Sequence, residues 1–382
     1  MFELIKPGTN FDFVGKNKFF VTLSTVLVLA SVILVFTIGL NFGIDFSGGT
    51  EIHLKLDRPV STEQIRGIVE KSGYTKANIL TIGNEQKEYV IRVAEYASLK
   101  ESDAQNIRNM IFNEYGKDRI KKFKFSGESG DKIEIKFTEE VEPAKLKEFL
   151  VSKGIDCIDV KKEGKTTEFQ YLIILAGISK KLQEAIEKEI SGIKVEIIGV
   201  DAVGPQVGKD LRTSGLLAAI YSLIAITIYV AFRFDFRFAP GAFLSLLHDG
   251  LITLGVLTLL RFEFDMTGLA AIMTLLGYSI NDTIVVYDRV RENLVKHKTK
   301  TLDEIINISI NDMLGRSIIT SLTVLIVSAV LLFYGGHTLR TFSFVMFFGV
   351  IIGTYSSIYI AAPLALYTER IMKAYTLKAI KK

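Results

Sequence analysis

Hydrophobic positions in this chain gather into six long runs separated by polar stretches. The runs are Phe19–Ile44, Thr213–Phe232, Phe238–Leu260, Met266–Tyr287, Ser317–Gly336 and Thr341–Thr368. Each is long enough for the roughly 20 apolar residues that a helix needs to cross the hydrocarbon core. The pattern predicts a polytopic α-helical membrane protein with six transmembrane helices. The first run is longer than the apolar core of a signal peptide, and no Ala-x-Ala-like site follows it. It therefore reads as a retained helix that doubles as a signal anchor.

The stretch between the first two runs changes period. Glu51–Leu56 alternates polar and apolar residues, as a half-buried strand does. Ser61 and Gln64 form a helix-start signal, and Ile65, Ile68 and Val69 give a helical stripe. Tyr89–Val93 reads as a strand and Asp103–Tyr115 as a second helix. The same order then recurs. Val60–Gly73 parallels Val141–Gly154, and Tyr89–Ala94 parallels Tyr171–Ala176. The second copy has strand Lys132–Phe137 and a helix opening at Pro143, where the missing N–H is harmless. Strand Tyr171–Leu175, helix Ser179–Ile190 and closing strand Lys194–Val200 follow. The expected fold is an α+β domain of tandem ferredoxin-like units.

Composition narrows the function classes. The chain has 382 residues, 49% of them hydrophobic, and a formal charge of only +4, so nucleic acid is not an expected partner. A single cysteine, Cys157, excludes an internal disulfide, and no Cys/His cluster suits zinc. Gly43–Gly49 and Gly204–Asp210 are glycine-rich but lack the spacing that cradles phosphate. Both read as turns joining the α+β domain to the first two membrane helices. No cofactor is expected, and energy must come from a source other than a bound nucleotide.

Charge sets the expected topology. Lys6, Lys16, Lys18, Arg233, Arg237, the Arg289–Arg316 loop and Arg370–Lys382 concentrate positive charge on one side, against Arg261 and Arg340 on the other. By the positive-inside rule both termini are cytoplasmic. The expected division is a cytoplasmic N-terminus (1–18), a first transmembrane helix (19–44) and an extracytoplasmic α+β domain (45–212). Transmembrane helices 2–6 (213–368) and a basic cytoplasmic tail (369–382) complete it. The loop Asp288–Leu314 is expected to carry its own amphipathic helix, opened by a Thr301/Glu304 capping box and lying along the inner surface.

Ionisable residues inside the runs are the candidate chemistry. A charged group near the centre of a membrane helix costs about 2.5–3.5 kcal/mol on insertion scales, so it marks function by default. Asp282, with Asn281 beside it, lies in the fourth run; Asp249, with His248, lies at the midpoint of the third. Ser245, Asp249 and Thr253 share one helix face, as do Tyr278, Ser279 and Asp282. Arg316, Thr320 and Thr323 share a face of the fifth helix. These stripes are expected to meet inside the bundle, with Arg316 nearest to Asp282. Low dielectric disfavours a charged carboxylate and a nearby arginine favours it, so a movable Asp–Arg pair can load and release a proton. The plain alternatives are an aspartate that only ties helices together and a fixed His248–Asp249 pair. Gly349 and Gly353 form a close-approach motif whose partner helix the sequence leaves open.

With these residues in view, the chain resembles the SecF branch of the SecD/SecF family, within the RND superfamily. The resemblance rests on Phe42–Thr50, Val203–Gly208, Ala231–Arg237, Leu247–Thr253 and Gly277–Asn293. It implies a non-enzymatic subunit of the bacterial inner membrane that pairs with SecD and assists the SecYEG channel. The family's role is to use the proton gradient to draw a translocating polypeptide outward. By motif, Asp282 matches the family's proton-carrying aspartate and Arg316 the arginine that opens the fifth helix. Protons and membrane lipids are the other expected partners. One departure stands out: the segment near Phe125–Ile178 adds a second ferredoxin-like copy to an outer domain that usually has one. The rival readings are an RND-type exporter of lipids or small molecules, an intramembrane aspartyl protease, and a structural scaffold.

Overall fold

The computed structural model describes residues 9–83, 85–95, 101–125, 132–155, 157–163, 169–175, 177–234, 236–365 and 367–368. Lys6, Asp235 and the basic tail 369–382 lie outside the described residues. The chain divides into a helical unit (1–42 with 213–382) and an α+β unit (43–212).

Helix α1 (Asn17–Thr37) ends before a short strand β1 (Asn41–Phe42), after which the α+β unit begins with a single turn α2 (Ile44–Ser47). Strand β2 (Gly49–Leu56), helix α3 (Thr62–Lys71), β3 (Asn78–Ile82) and β4 (Glu88–Val93) follow. Next come α4 (Glu101–Tyr115), β5 (Ile120–Phe125), β6 (Lys132–Phe137), α5 (Pro143–Ser152), β7 (Cys157–Glu163) and β8 (Gln170–Leu175). Helix α6 (Ile178–Glu189) and strand β9 (Val195–Val203) close the unit.

Two four-stranded antiparallel sheets result, ordered β3-β4-β2-β9 and β5-β6-β8-β7. Each has the strand order of a split βαβ, ferredoxin-like layer. The repeat has a structural basis. Tyr89 and Tyr171 are both fully buried and occupy matching strand positions. The Tyr89 hydroxyl donates to the Val60 carbonyl, and the Tyr171 hydroxyl accepts from the Val141 N–H at 3.0 Å. In both copies a buried tyrosine pins the residue that precedes the first helix.

The second helices are exchanged relative to the sequence expectation. Ile178, Leu182 and Ile186 of α6 pack on the first sheet, while Ile107 and Ile111 of α4 pack on the second. The inserted unit thus begins with α4 and runs to β8, as a circularly permuted ferredoxin-like layer. The first unit is interrupted after β4 and completed by α6 and β9. An apolar stripe says that a helix is half-buried, but not which sheet buries it.

The two glycine-rich turns pack on each other. Gly48 and Gly49 hold φ of +73° and +124°, and a Cβ on Gly49 would lie 2.4 Å from the Val93 carbonyl oxygen. A Cβ on Gly208 would lie 3.0 Å from the Gly48 nitrogen. Only glycine fits where the backbones approach so closely.

Strand β9 runs almost directly into α7 (Pro205–Arg233), followed by α8 (Ala239–Leu259), β10 (Glu263–Phe264), α9 (Met266–Lys296) and α10 (Leu302–Tyr334). The last helix, α11 (Gly336–Ser356), continues through a π-helical turn (Ser357–Ala361) to Ala365. Six helices, α1, α7, α8, α9, α10 and α11 with its extension, are long and apolar enough to cross a membrane. Strands β1 and β10 pair in parallel, tying the end of α1 to the α8–α9 turn.

The expected separate amphipathic helix is absent. Thr301 and Glu304 do form a capping box, but the helix they open is α10 itself, which runs on into the fifth span. Ile306, Ile310 and Leu314 pack with Val286, Tyr287 and Val290 of α9. Once α9 continues past Tyr287 to Lys296, the stripe has a partner helix and need not lie along the bundle.

Candidate functional site

Three helices form the centre of the bundle. In the apolar windows of α8, α9 and the α11 helix, 56% is buried, against 11% for α1 and α7 and 17% for α10. The buried polar side chains on the central three therefore meet each other and not lipid.

Asp249 sits among them, fully buried. Its Oδ1 lies 2.9 Å from His248 Nδ1, and its Oδ2 accepts from Ser279 on α9 at 2.5 Å and Ser356 on α11 at 2.8 Å. Both carboxylate oxygens are thus bonded, and three helices converge on them. Glycine makes the approach possible: a Cβ on Gly353 would lie 3.1 Å from the Ser279 Cβ. A Cβ on Gly349 would meet Leu275 Cδ2 at 2.3 Å. The Gly349/Gly353 motif accordingly faces Leu275 and Ser279 of α9. His248 stacks on Tyr355 at 6.0 Å, and Tyr355 reaches α1 through Ser24 at 2.8 Å and the Phe20 carbonyl at 2.9 Å. The polar network therefore spans α1, α8, α9 and α11.

Asp282 lies one turn along α9, on a different side. It is buried, and its Oδ2 has no hydrogen-bond partner among the described residues. It lies beside Ser321 of α10, and the Arg316 guanidinium acts on it electrostatically without forming an ion pair. Ser321 is itself shared, with Thr354 at 2.6 Å and the Tyr278 hydroxyl at 3.3 Å. This second cluster lies between α9, α10 and α11.

The five candidate residues separate. His248 and Asp249 are bonded together in the first cluster. Asp282 belongs to the second, with Arg316 at its margin. Arg316 is exposed, and Asn281, about 100° further round the helix than Asp282, is also exposed. The hydroxyl stripes also differ from expectation. Ser245 and Thr253 are buried but donate to carbonyls of their own helix, Ala242 at 2.9 Å and Asp249 at 2.7 Å. On α10 the inward seam is Ser317, Ser321 and Ser328; Thr323 is exposed and Thr320 only half-buried. The seam is displaced by one residue from the expected stripe, which is enough to turn Thr323 outward.

Two contributors escaped the sequence reading. Ser356 completes the bonds to Asp249. Tyr287, also fully buried, donates to the Ala361 carbonyl at 3.0 Å, where a Cβ on Gly241 would come within 2.6 Å of both atoms. The available signal was Pro363. A proline removes one helical N–H and crowds the carbonyl four residues back, that of Tyr359, so a distorted turn ahead of it is the expected result.

Chemically, the first cluster is a joint in which both Asp249 oxygens are bonded, while the buried His248 Nε2 has no hydrogen-bond partner among the described residues. The second holds a buried carboxylate with an unoccupied oxygen and a cation nearby, an arrangement able to gain a proton or a new partner. Among the described residues no group of three His, Cys, Asp or Glu could hold a metal ion.

Known proteins match the chain along its length. A family model described as "Protein export membrane protein SecD/SecF, C-terminal" matches residues 182–370, and a "SecD/SecF GG Motif" model matches residues 33–60. The protein translocase subunit SecF of Calditerrivibrio nitroreducens is 34% identical over 373 residues, covering 97% of this chain and 98% of that protein. The SecF subunit of Rickettsia rickettsii is 32% identical over 362 residues, covering 95% and 93%. The crystal structure of a Thermus SecDF, described as a translocon-associated membrane protein, superposes with a TM-score of 0.63 at 27% identity, over 95% of this chain. This chain spans 39% of that SecDF chain.

Proposed function

The chain belongs to the SecD/SecF family of protein export membrane proteins, on its SecF branch, and from that premise we propose that it is an accessory subunit of the Sec protein-export translocase. It acts with SecD in the bacterial inner membrane, using the proton gradient to promote late translocation of polypeptides through SecYEG. It works by transport and not by catalysis. Both termini are cytoplasmic and the α+β unit is extracytoplasmic, a topology that the positive charges of the short loops support.

The observation that carries the reading is the contrast between two carboxylates. Asp249 has both oxygens bonded, whereas Asp282 keeps one free inside the bundle. A group that loads and releases a proton must be able to change partners. Asp282 is assigned that role, with Arg316 as the counter-charge that approaches when the carboxylate is ionised. Exposed Asn281 and Arg316 lie on the side left for SecD. Asp249 and His248 hold the central helices together, and so keep α9 in place as Asp282 changes state. Each proton moved down a 100 mV potential releases about 2.3 kcal/mol, enough to bias the outer unit between two positions.

The test is co-expression with SecD in cells that lack their own SecF. Co-purification with SecD and restored export of a slowly translocated substrate are expected. Self-association without SecD, or restored transport of a lipid or small molecule in its place, would contradict the assignment.

A further inference from the structure

Helix α1 meets the bundle through a polar seam. Its buried residues are Asn17, Ser24 and Ser31, spaced by seven, while Leu29, Ile33 and Phe36 are exposed. The seam faces α8, where a Cβ on Gly255 would come within 2.3 Å of Ser31 Oγ. As the first and third spans, the two helices run the same way. One heptad before that contact stand Ser24 and His248, and one heptad earlier again Asn17 and Gly241. Tyr355 of α11 joins the middle level, its ring stacked on His248 and its hydroxyl bonded to Ser24.

Two side chains on this seam are buried without a partner. His248 is 5% exposed and Asn17 6%, and neither His248 Nε2 nor Asn17 Oδ1 has a hydrogen-bond partner among the described residues. Buried polar atoms in native proteins are satisfied, by water where the protein offers nothing. Asp249 decides what Nε2 can do. Its Oδ1 faces Nδ1 and its Oδ2 already accepts two hydroxyls. A carboxylate on Nδ1 fixes the tautomer in which Nδ1 carries the hydrogen and Nε2 the lone pair. Acid–base sites use the same arrangement to make an imidazole a proton acceptor. None of the bonded partners of Asp249 is a Lys or Arg. A proton on Nε2 therefore turns a lone buried anion into a neutral pair.

We propose that His248 is a second proton-binding group of the membrane unit, loaded at Nε2 by water that enters past Asn17 along the α1–α8 seam. This rests on the reading of the chain as proton-driven, with Asn17 at the cytoplasmic end. The Nε2 lone pair takes the proton from water, Nδ1 keeps its own, and the proton returns to water on release. The bond to Asp249 survives both states, so the joint stays closed as the charge changes. Water suits both states because it donates to the lone pair and accepts from the N–H. The titratable groups facing the ring are Asp249 on its own helix and Tyr355 on α11, with Tyr359 stacked behind Tyr355. Helix α1 carries no charged residue from Phe19 to Thr37, and α9 contributes Ser279 through Asp249.

The experiment is nuclear magnetic resonance of the ¹⁵N-histidine-labelled full chain in lipid nanodiscs. The chain has four histidines, so the His248 ring is identified as the signal lost in His248→Asn. Should that variant not fold, replacing His53, His297 and His337 in turn identifies it as the signal that remains. The result expected is a ring that passes from the Nδ1–H neutral form to the doubly protonated form between about pH 9 and about pH 5. Asn17→Leu, or Ser24→Val if the first does not fold, should slow exchange of the Nε2 proton with bulk water and leave the titration in place. A ring that stays neutral, or stays protonated, over the whole range would overturn the proposal. So would exchange that neither variant slows. These signals are read without export, so their failure leaves the role of Asp282 standing, and loss of that role appears in export alone.

Discussion

Ser279 on α9 donates to Asp249 on α8 across 2.5 Å, and Gly353 on α11 leaves the space in which that bond forms. The bond belongs to a joint in which Ser356 supplies the second donor to the same oxygen. Ser279→Ala should therefore weaken the joint without emptying it. Polar contacts between membrane helices are worth about 0.5–2 kcal/mol. Thermal unfolding in detergent should show a loss of that size for Ser279→Ala, and a larger one when Ser356→Ala is added.

Gly349 poses the opposite problem, since a methyl group there would meet Leu275. Gly349→Ala should cost about 1–3 kcal/mol by overpacking. Leu275→Ala makes room for the methyl group, so the double variant should be more stable than the sum of the two single changes predicts. Strict additivity in the same unfolding assay would mean that the two helices do not meet here.

Asn307 and Asn311, one turn apart on α10, clamp an extended N-terminal segment. Asn307 Oδ1 accepts from the Phe13 N–H at 2.8 Å, Asn311 Oδ1 accepts from the Phe11 N–H at 2.8 Å, and both amides donate to the Phe11 carbonyl. Asn307→Ala with Asn311→Ala should release residues 9–14 and make them a site of early proteolytic cleavage. Unchanged resistance to a protease would show that the clamp does not hold the segment.

The α+β unit should be sensitive to acid through Glu51. Burial pushes its carboxyl up, but the hydrogen bonds and charges of His53 and Arg92 together outweigh burial and hold it below the ordinary value of 4.5. A carboxyl lowered in the folded state contributes stability that is complete above its unfolded pKa. That stability is lost as pH falls through the folded value. Thermal unfolding of the strand signal in circular dichroism should therefore fall between pH 5 and the folded pKa. It should fall less steeply in Glu51→Gln. Equal slopes would remove Glu51 from the acid response.

The spans were legible in the sequence because runs of apolar residues this long have few other uses. Both glycine-rich turns and the α+β repeat were legible for similar reasons: Gly49, Gly208, Tyr89 and Tyr171 sit where few alternatives fit. What local pattern lacks is direction over distance. The stripe of α6 looks the same whichever sheet it faces; here Leu182 and Ile186 pack on the first. Likewise, Gly349 and Gly353 announced a close approach but not that α9 makes it. Thr320 and Thr323 were misplaced because a one-residue shift of the α10 seam turns a helix face by about 100°. Ser356 was missed because it lies in the consecutive polar run Thr354-Tyr355-Ser356-Ser357, which singles out no one face of a helix.

Asp282→Asn is the most direct test of the central claim, in cells whose only SecF is this chain. Asparagine keeps the shape of the side chain but cannot take up and release a proton near neutral pH. Export of a slowly translocated substrate should lose the part that an uncoupler removes from the wild type, with protein level and SecD co-purification unchanged. Export that keeps its full uncoupler-sensitive part in Asp282→Asn would contradict the account.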